Sequence, residues 1–192
     1  MTDYYESNAQ QYFDTTVKVD PSSFLIPLAT TLKHGSILDI GCGSGRDLRW
    51  LKDYGFNATG LERSPKLAAL AREYSGCPVI EEDFLTFDFS SRKFDALISI
   101  GAFVHINHKD FPQVIGRVIR ALSGKKLFFL TLKEGKGFKS NQDGRSFTLW
   151  QPQDLEAVFA TYNLRIIFFS RQVSKLGNDD IWLSYMLHAG SE

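Results

Sequence analysis

The spacing of apolar positions changes several times along this chain, and each change marks an element. The segment Thr2 to Asp14 reads as a helix carrying the aromatics Tyr4, Tyr5, Tyr12 and Phe13. Pro21 and Ser22 open a second helix, Ser23 to Lys33, and Gly35 ends it. The period then shortens. Ile37 to Ile40 is a short apolar strand, and Ser44 to Tyr54 returns to helical spacing with Leu48 and Leu51. NATGL is a strand, SPKLAALAREY a helix with Pro65 in its first turn, and PVIEED a strand running into a loop. FDALISI and KLFFLTL are apolar strands flanking the helix KDFPQVIGRVIRAL, whose Ile115, Val118, Ile119 and Leu122 are expected on one face.

Strand and helix in alternation predict an α/β domain with a mostly parallel sheet covered on both faces and right-handed connections. The last third departs from this rhythm. Lys133 to Trp150 reads as a long polar loop with three glycines, a length that usually serves function or is disordered. QPQDLEAVFATY is a helix. LRIIFFSRQV and DIWLSYMLHA are two strands around a turn at Gly177 and Asn178, so one of them should run antiparallel. No composition shift marks a linker, and one domain over 1–192 is expected.

Composition narrows the function classes. With 43% hydrophobic residues among 192, a sizeable core needs no disulfides. A formal net charge of zero gives no basic excess of the kind that grips nucleic-acid phosphates. Cys42 and Cys77 form no CxxC pattern and read as reduced thiols. The polar, aromatic N-terminus is unlike a signal peptide, and no apolar run reaches membrane-spanning length. A cytoplasmic protein without membrane or nucleic-acid partners is expected; monomer and dimer stay open.

The chemistry concentrates in ILDIGCGSGRD, where a glycine turn follows a strand and precedes a helix. An ATP-type phosphate loop needs lysine and a hydroxyl after its last glycine, but Arg46 and Asp47 follow here. The dinucleotide spacing G-x-G-x-x-G would put its third glycine at Arg46. Asp39 stands just before the turn, where a carboxylate repels a pyrophosphate and attracts an ammonium. S-adenosylmethionine offers an ammonium, a carboxylate and a sulfonium, and no phosphate. Glycines let its amino-acid end approach the backbone, and the following helix N-terminus favours its carboxylate.

ILDIGCGSGRD resembles the first motif of the Rossmann-like, class I S-adenosylmethionine-dependent methyltransferases of the small single-domain type. ATGLERSPKLAALAR resembles their second strand and its acidic end, VIEEDF their third motif, FDALISIGAFVHI their fourth strand and ALSGKKLFFLTL their fifth. The usual KPGG turn is replaced by Ser123-Gly124-Lys125-Lys126. The resemblance implies a Rossmann-like methyltransferase fold: a central seven-stranded, mostly parallel sheet with the last strand antiparallel and helices on both faces. It implies an N-terminal helical cap over 1–34, a cofactor-binding core over 36–132, and an acceptor-side loop, helix and hairpin over 133–192. It also implies S-adenosylmethionine as cofactor, with in-line methyl transfer to a small molecule, an anionic one included. Methylation of RNA or protein, a non-catalytic cofactor-binding protein and a nicotinamide oxidoreductase are the alternatives.

By that resemblance, Glu62 takes the ribose hydroxyls, with Arg63 beside it. Asp83 meets the adenine amine, or else begins a turn; Phe84 meets the adenine face, or else is core. Asp39, Gly41, Cys42, Gly43 and Gly45 form the turn against the amino-acid end, Cys42 as a small buried residue. Arg46 is either a surface charge or the partner of a carboxylate. Ile100 at the end of the fourth strand and Tyr12 of the N-terminal helix complete the cofactor set. His105, at a strand's carboxyl end, is the candidate general base. Tyr5, Lys133 and Arg145 are candidates for acceptor binding, the two cations otherwise being solvated charges. No metal is expected, because no carboxylates follow the fourth strand.

Overall fold

The computed structural model describes residues 3–174 and 179–190. The chain divides into two compact units between Asp88 and Phe89.

The first unit opens with helices α1 (Asp3–Ser7) and α2 (Ala9–Thr16), so the single helix expected here is broken at Asn8. The Asn8 side-chain amide donates to the Tyr4 carbonyl at 2.9 Å, the local competition with helix continuation that asparagine favours. Helix α3 (Ser22–Leu32) buries Leu25, Leu28 and Leu32 completely, each worth about 2 kcal/mol. It ends at Lys33, whose φ of 65° takes the left-handed position expected of Gly35. Strand β1 (Ser36–Ile40), helix α4 (Arg46–Asp53), strand β2 (Asn57–Glu62), helix α5 (Pro65–Ser75) and strand β3 (Val79–Glu81) follow. The three strands pair in parallel, β2 in the middle, with Asp39 opposite Gly60 and Glu62 opposite Glu81. From Ile37 to Ile40 every β1 residue is buried, the near-continuous apolar signature of a parallel strand covered on both sides.

Gly45, with φ of 74°, caps α4, and a Cβ on it would stand 2.8 Å from the backbone of Ala71 on α5. Gly60 is equally constrained: a Cβ there would meet Cys42 Sγ at 2.6 Å. The two glycines let the α4 turn, α5 and β2 close on one another.

The second unit holds β4 (Phe94–Ile100), a 3-10 turn at Phe103–His105, α6 (Phe111–Val118), β5 (Leu122–Glu134), β6 (Phe138–Ser140), β7 (Ser146–Trp150), α7 (Pro152–Thr161), β8 (Leu164–Val173) and β9 (Ile181–Ala189). Strands β4 and β5 are parallel, while β9 lies antiparallel to both β5 and β8. The expected antiparallel last strand is therefore present. The turn placed at Gly177 and Asn178 lies outside the described residues. The buried face of α6 is Phe111, Val114, Ile115 and Val118; Ile119 already belongs to a tighter turn and Leu122 to β5.

Nine strands are present among the described residues, rather than seven. The extra pair, β6 and β7, is an antiparallel hairpin inside the stretch read as a polar loop, and β7 adds a short parallel pairing with β5 at Lys133 and Glu134. Its turn is Asn141 to Gly144, with Gly144 at φ of 83°. The burial of Phe147, Thr148 and Trp150 makes the strand; the polar residues around them hid it. No helix among the described residues is long and apolar enough to cross a membrane.

Replacing Gly45 by alanine should lower stability by about 3 kcal/mol, from the left-handed backbone and the clash with Ala71 together. Gly55→Ala, at φ of 85° with open space around it, should cost only about 1 kcal/mol. Urea unfolding midpoints of the two variants check both numbers, and equal losses would contradict the close approach of Gly45 to α5.

Candidate cofactor and acceptor sites

In the first unit the turn after β1 carries Gly41, Gly43 and Gly45 at positive φ, so its backbone follows a path that other residues take only under strain. The Gly41 and Cys42 amides both donate to the Leu61 carbonyl, which fastens the turn to β2. Cys42 is buried, its thiol held up by burial and by the acidic groups around it; it packs within the turn.

Asp39 is 1% exposed, and its Oδ2 has no hydrogen-bond partner among the described residues. Burial, then the neighbouring Asp47, holds its carboxyl well above the usual carboxylate range; Arg46 opposes the rise and Glu62 adds to it. Arg46 is no open anion hook. Its Nε and Nη2 grip both oxygens of Asp47 at 2.8 and 3.0 Å.

Glu62 ends β2 and is buried. The Gly43 amide donates to its Oε2 at 3.0 Å and the Ser64 amide to its Oε1 at 2.9 Å. Burial raises its carboxyl and these backbone donors oppose the rise. The Arg63 amide is a third backbone donor to this carboxylate, whose two oxygens still keep acceptor capacity for a hydroxyl. Arg63 reaches Asp83 at 3.5 Å. Asp83 Oδ1 accepts from the Leu85 amide at 2.8 Å, so one of its oxygens does begin a turn; Phe84 is half-buried beside it.

The N-terminal helices bring aromatic rings to this turn. Tyr12 lies so close to Gly43 that a Cβ there would stand 3.1 Å from the ring. Tyr5 packs edge-on against Tyr12 at 5.1 Å, and Tyr4 against Tyr5 at 5.3 Å. Tyr5, read as an acceptor contact, thus belongs to the same aromatic string as Tyr12. No local pattern marks Glu6. Its Oε2 accepts from the Ser64 hydroxyl at 2.6 Å and from the Lys66 amide at 3.3 Å, at the N-terminus of α5. Ser64 followed by Pro65 is a legible helix start, but nothing local points from it to a residue 58 positions away.

In the second unit three candidates meet at β7. The His105 Nδ1 lies 2.8 Å from the Ser146 carbonyl, so that nitrogen is the donor. The imidazole stands 5.1 Å from the Phe147 ring. The Lys133 ammonium is 3.8 Å from the centre of Phe147 and 5.5 Å from that of Trp182. The Arg145 guanidinium is 5.6 Å from Phe147. Neither cation is simply solvated. Lys133 pairs with Asp180 at 2.6 Å, both side chains under 10% exposed, and Arg145 with Asp143 at 2.6 Å. Lys139 also reaches Asp180, at 2.7 Å, and the two ammonium groups hold the Asp180 carboxyl below its usual range against the effect of burial. Ile100 pairs with Thr131 across β4 and β5, and the Gly101 amide donates to the Thr131 hydroxyl at 2.9 Å. His108 lies 2.9 Å from the Leu149 carbonyl and packs on Trp150. Asp180, Trp182 and Phe147 escaped sequence reading, because their role depends on the hairpin.

The first unit's residues fit S-adenosylmethionine and not a pyrophosphate. An unpartnered buried carboxylate oxygen at Asp39 suits an ammonium, and Glu62 suits a vicinal diol. Both carboxylates oppose phosphate, and the cation nearest them, Arg46, is already engaged. Held there, the cofactor would supply an electrophilic methyl on sulfur.

The chain is similar in sequence and fold to known methyltransferases. The family model of the methyltransferase domain matches residues 37–125. An uncharacterized methyltransferase of Staphylococcus carnosus is 28% identical over 162 residues, 80% of this chain and 74% of that protein. An uncharacterized protein of Methanocaldococcus jannaschii is 32% identical over 102 residues, 53% of this chain but only 38% of that protein. Among solved structures, the 1,6-didemethyltoxoflavin N1-methyltransferase of Burkholderia thailandensis, with its acceptor and S-adenosylhomocysteine bound, superposes with a TM-score of 0.74 over 97% of this chain and 84% of that one. At 17% identity that likeness speaks for the fold alone. Residues 37–125 thus carry a methyltransferase domain, and the glycine turn with the buried Asp39 and Glu62 beside it gives that domain a cradle suited to S-adenosylmethionine.

Proposed function

We propose that the chain transfers the methyl group of S-adenosylmethionine, in line with the departing sulfur, to a small molecule in the cytoplasm. The convergence of His105, Lys133 and Arg145 on the single ring of Phe147 carries this reading. Residues from three separate parts of the second unit surround one aromatic side chain, which suits a compact acceptor with an apolar face and a polar edge. The toxoflavin methyltransferase, similar in fold, acts on such a molecule.

A macromolecular acceptor finds less support. Lys125 and Lys126 lie near the start of β5 and Lys133 near its end, about 20 Å or more away at the rise of an extended strand. Lys133 and Lys139 share the carboxylate of Asp180. These lysines do not form one basic face.

His105 is the residue placed to take a proton from the acceptor. A carbonyl can only accept, so Nδ1 carries hydrogen toward Ser146, and in the neutral ring Nε2 carries the lone pair that a base requires. Arg145, not Lys133, is the stronger candidate for an anionic group on the acceptor. Its pair with Asp143 is local and solvent-facing, worth about 0–1 kcal/mol, so a ligand displaces it at little cost. The Lys133–Asp180 pair is buried, and breaking it would strand a charge.

Incubation with S-adenosylmethionine labelled on the methyl group, and with separated small-molecule, RNA and protein fractions, tests the acceptor class. Label should enter the small-molecule fraction; label entering only RNA or protein would overturn the reading. With an acceptor in hand, His105→Ala should lower kcat by about 100-fold or more while leaving cofactor affinity unchanged. Equal losses in both, in a folded variant, would remove His105 from the proton-transfer role.

A further inference from the structure

Asp39 poses an electrostatic problem that the ligand-free fold does not solve. Its carboxyl group sits at the end of β1, 1% exposed, with Oδ2 unpartnered among the described residues. The charged and titratable groups around it in the first unit are Asp47 and Arg46 of α4, Glu62 of β2 and Cys42 of the turn. Tyr12 of α2 faces Arg46, Asp47 and Glu62, and Arg63 faces Glu62. Three of these sites are acidic, counting Asp39 itself. Arg46 is gripped by both oxygens of Asp47, and Arg63 reaches out to Asp83. Among the described residues, no hydrogen bond or ion pair gives Asp39 a counter-cation. The thiol and the phenol are both held in their neutral forms by burial and by the same negative charges.

A buried carboxylate without a cation is costly, and the usual relief is a proton. We propose that Asp39 is protonated in the ligand-free cradle and releases that proton to solvent when the cofactor's ammonium takes its place beside the carboxylate. The proposal rests on the cofactor reading given above. The balance is simple: one O–H bond breaks, the proton passes to buffer, and the ammonium supplies the positive charge that the proton had supplied. Two consequences follow by linkage. Cofactor affinity rises with pH, up to tenfold per unit, below the ionisation of Asp39 in the free protein, and levels off above it. The free protein loses stability as pH rises from the ordinary carboxylate range through that ionisation, since the unfolded chain lets Asp39 ionise freely.

Calorimetric titration at pH 7 in phosphate and in Tris, buffers of very different ionisation enthalpy, reads the proton directly. Wild-type protein titrated with S-adenosylmethionine should release up to one proton. Asp39→Asn, which keeps the shape and cannot ionise, should release none and should keep its urea midpoint as pH rises. The unaltered protein titrated with 5′-methylthioadenosine, which lacks the ammonium, should also release none, and this arm needs no variant. Buffer-independent heats for S-adenosylmethionine on wild-type protein would overturn the proposal. So would equal proton release with 5′-methylthioadenosine or by Asp39→Asn. Failure of the folded wild type to bind S-adenosylmethionine at all would overturn the cofactor reading itself, and the proposal with it.

Discussion

The Glu62 carboxylate is the constraint on which the first unit's site depends. One oxygen holds the Gly43 amide and the other the Ser64 amide. A single side chain therefore joins the end of β2 to the middle of the glycine turn and to the start of α5. Such bonds from backbone amides to a buried carboxylate are charge-assisted and strong, and each amide would be left unmet without it. Ser64 passes the constraint on. Its hydroxyl both caps α5, accepting from the Leu67 amide at 3.2 Å, and donates to Glu6 of α1. The N-terminal helices are thereby fastened to the end of β2 and the start of α5, and Tyr12 is brought against Gly43.

The two units manage charge in opposite ways. In the second, each candidate cation is paired with a carboxylate: Lys133 and Lys139 share Asp180, and Arg145 holds Asp143. In the first, acidic groups outnumber the cations that answer them, and the deficit falls on Asp39 and Glu62, both buried and both shifted toward their protonated forms. A site built with negative charge to spare suits a cofactor carrying an ammonium and a sulfonium. It disfavours nucleotides that arrive with phosphates.

Much of this was legible in the sequence, for physical reasons that are local. The alternation of buried strands and amphipathic helices is written in periods that a window of ten residues reveals. The glycines of the turn announce left-handed backbone, and Gly41, Gly43 and Gly45 all adopt it. Glu62 was singled out through the family resemblance, and it ends β2. What could not be read depends on distance in the chain. Glu6 lies 58 residues from Ser64, and Asp180 lies 47 from Lys133. The β6–β7 hairpin was missed because its strands are short and surrounded by polar residues, and its alternation at Phe147 and Trp150 gains meaning only against His105 and Lys133. The break at Asn8 was missed because a side chain bonding back to Tyr4 leaves no trace in hydrophobic spacing.

The most direct test of the account is a calorimetric titration of wild-type protein and Glu62→Ala with S-adenosylmethionine and, separately, with NAD. The account predicts saturable binding of S-adenosylmethionine alone by the wild type, and its loss in a Glu62→Ala variant shown to be folded. Binding of NAD by the wild type, or undiminished binding of S-adenosylmethionine by the variant, would contradict the assignment of this cradle.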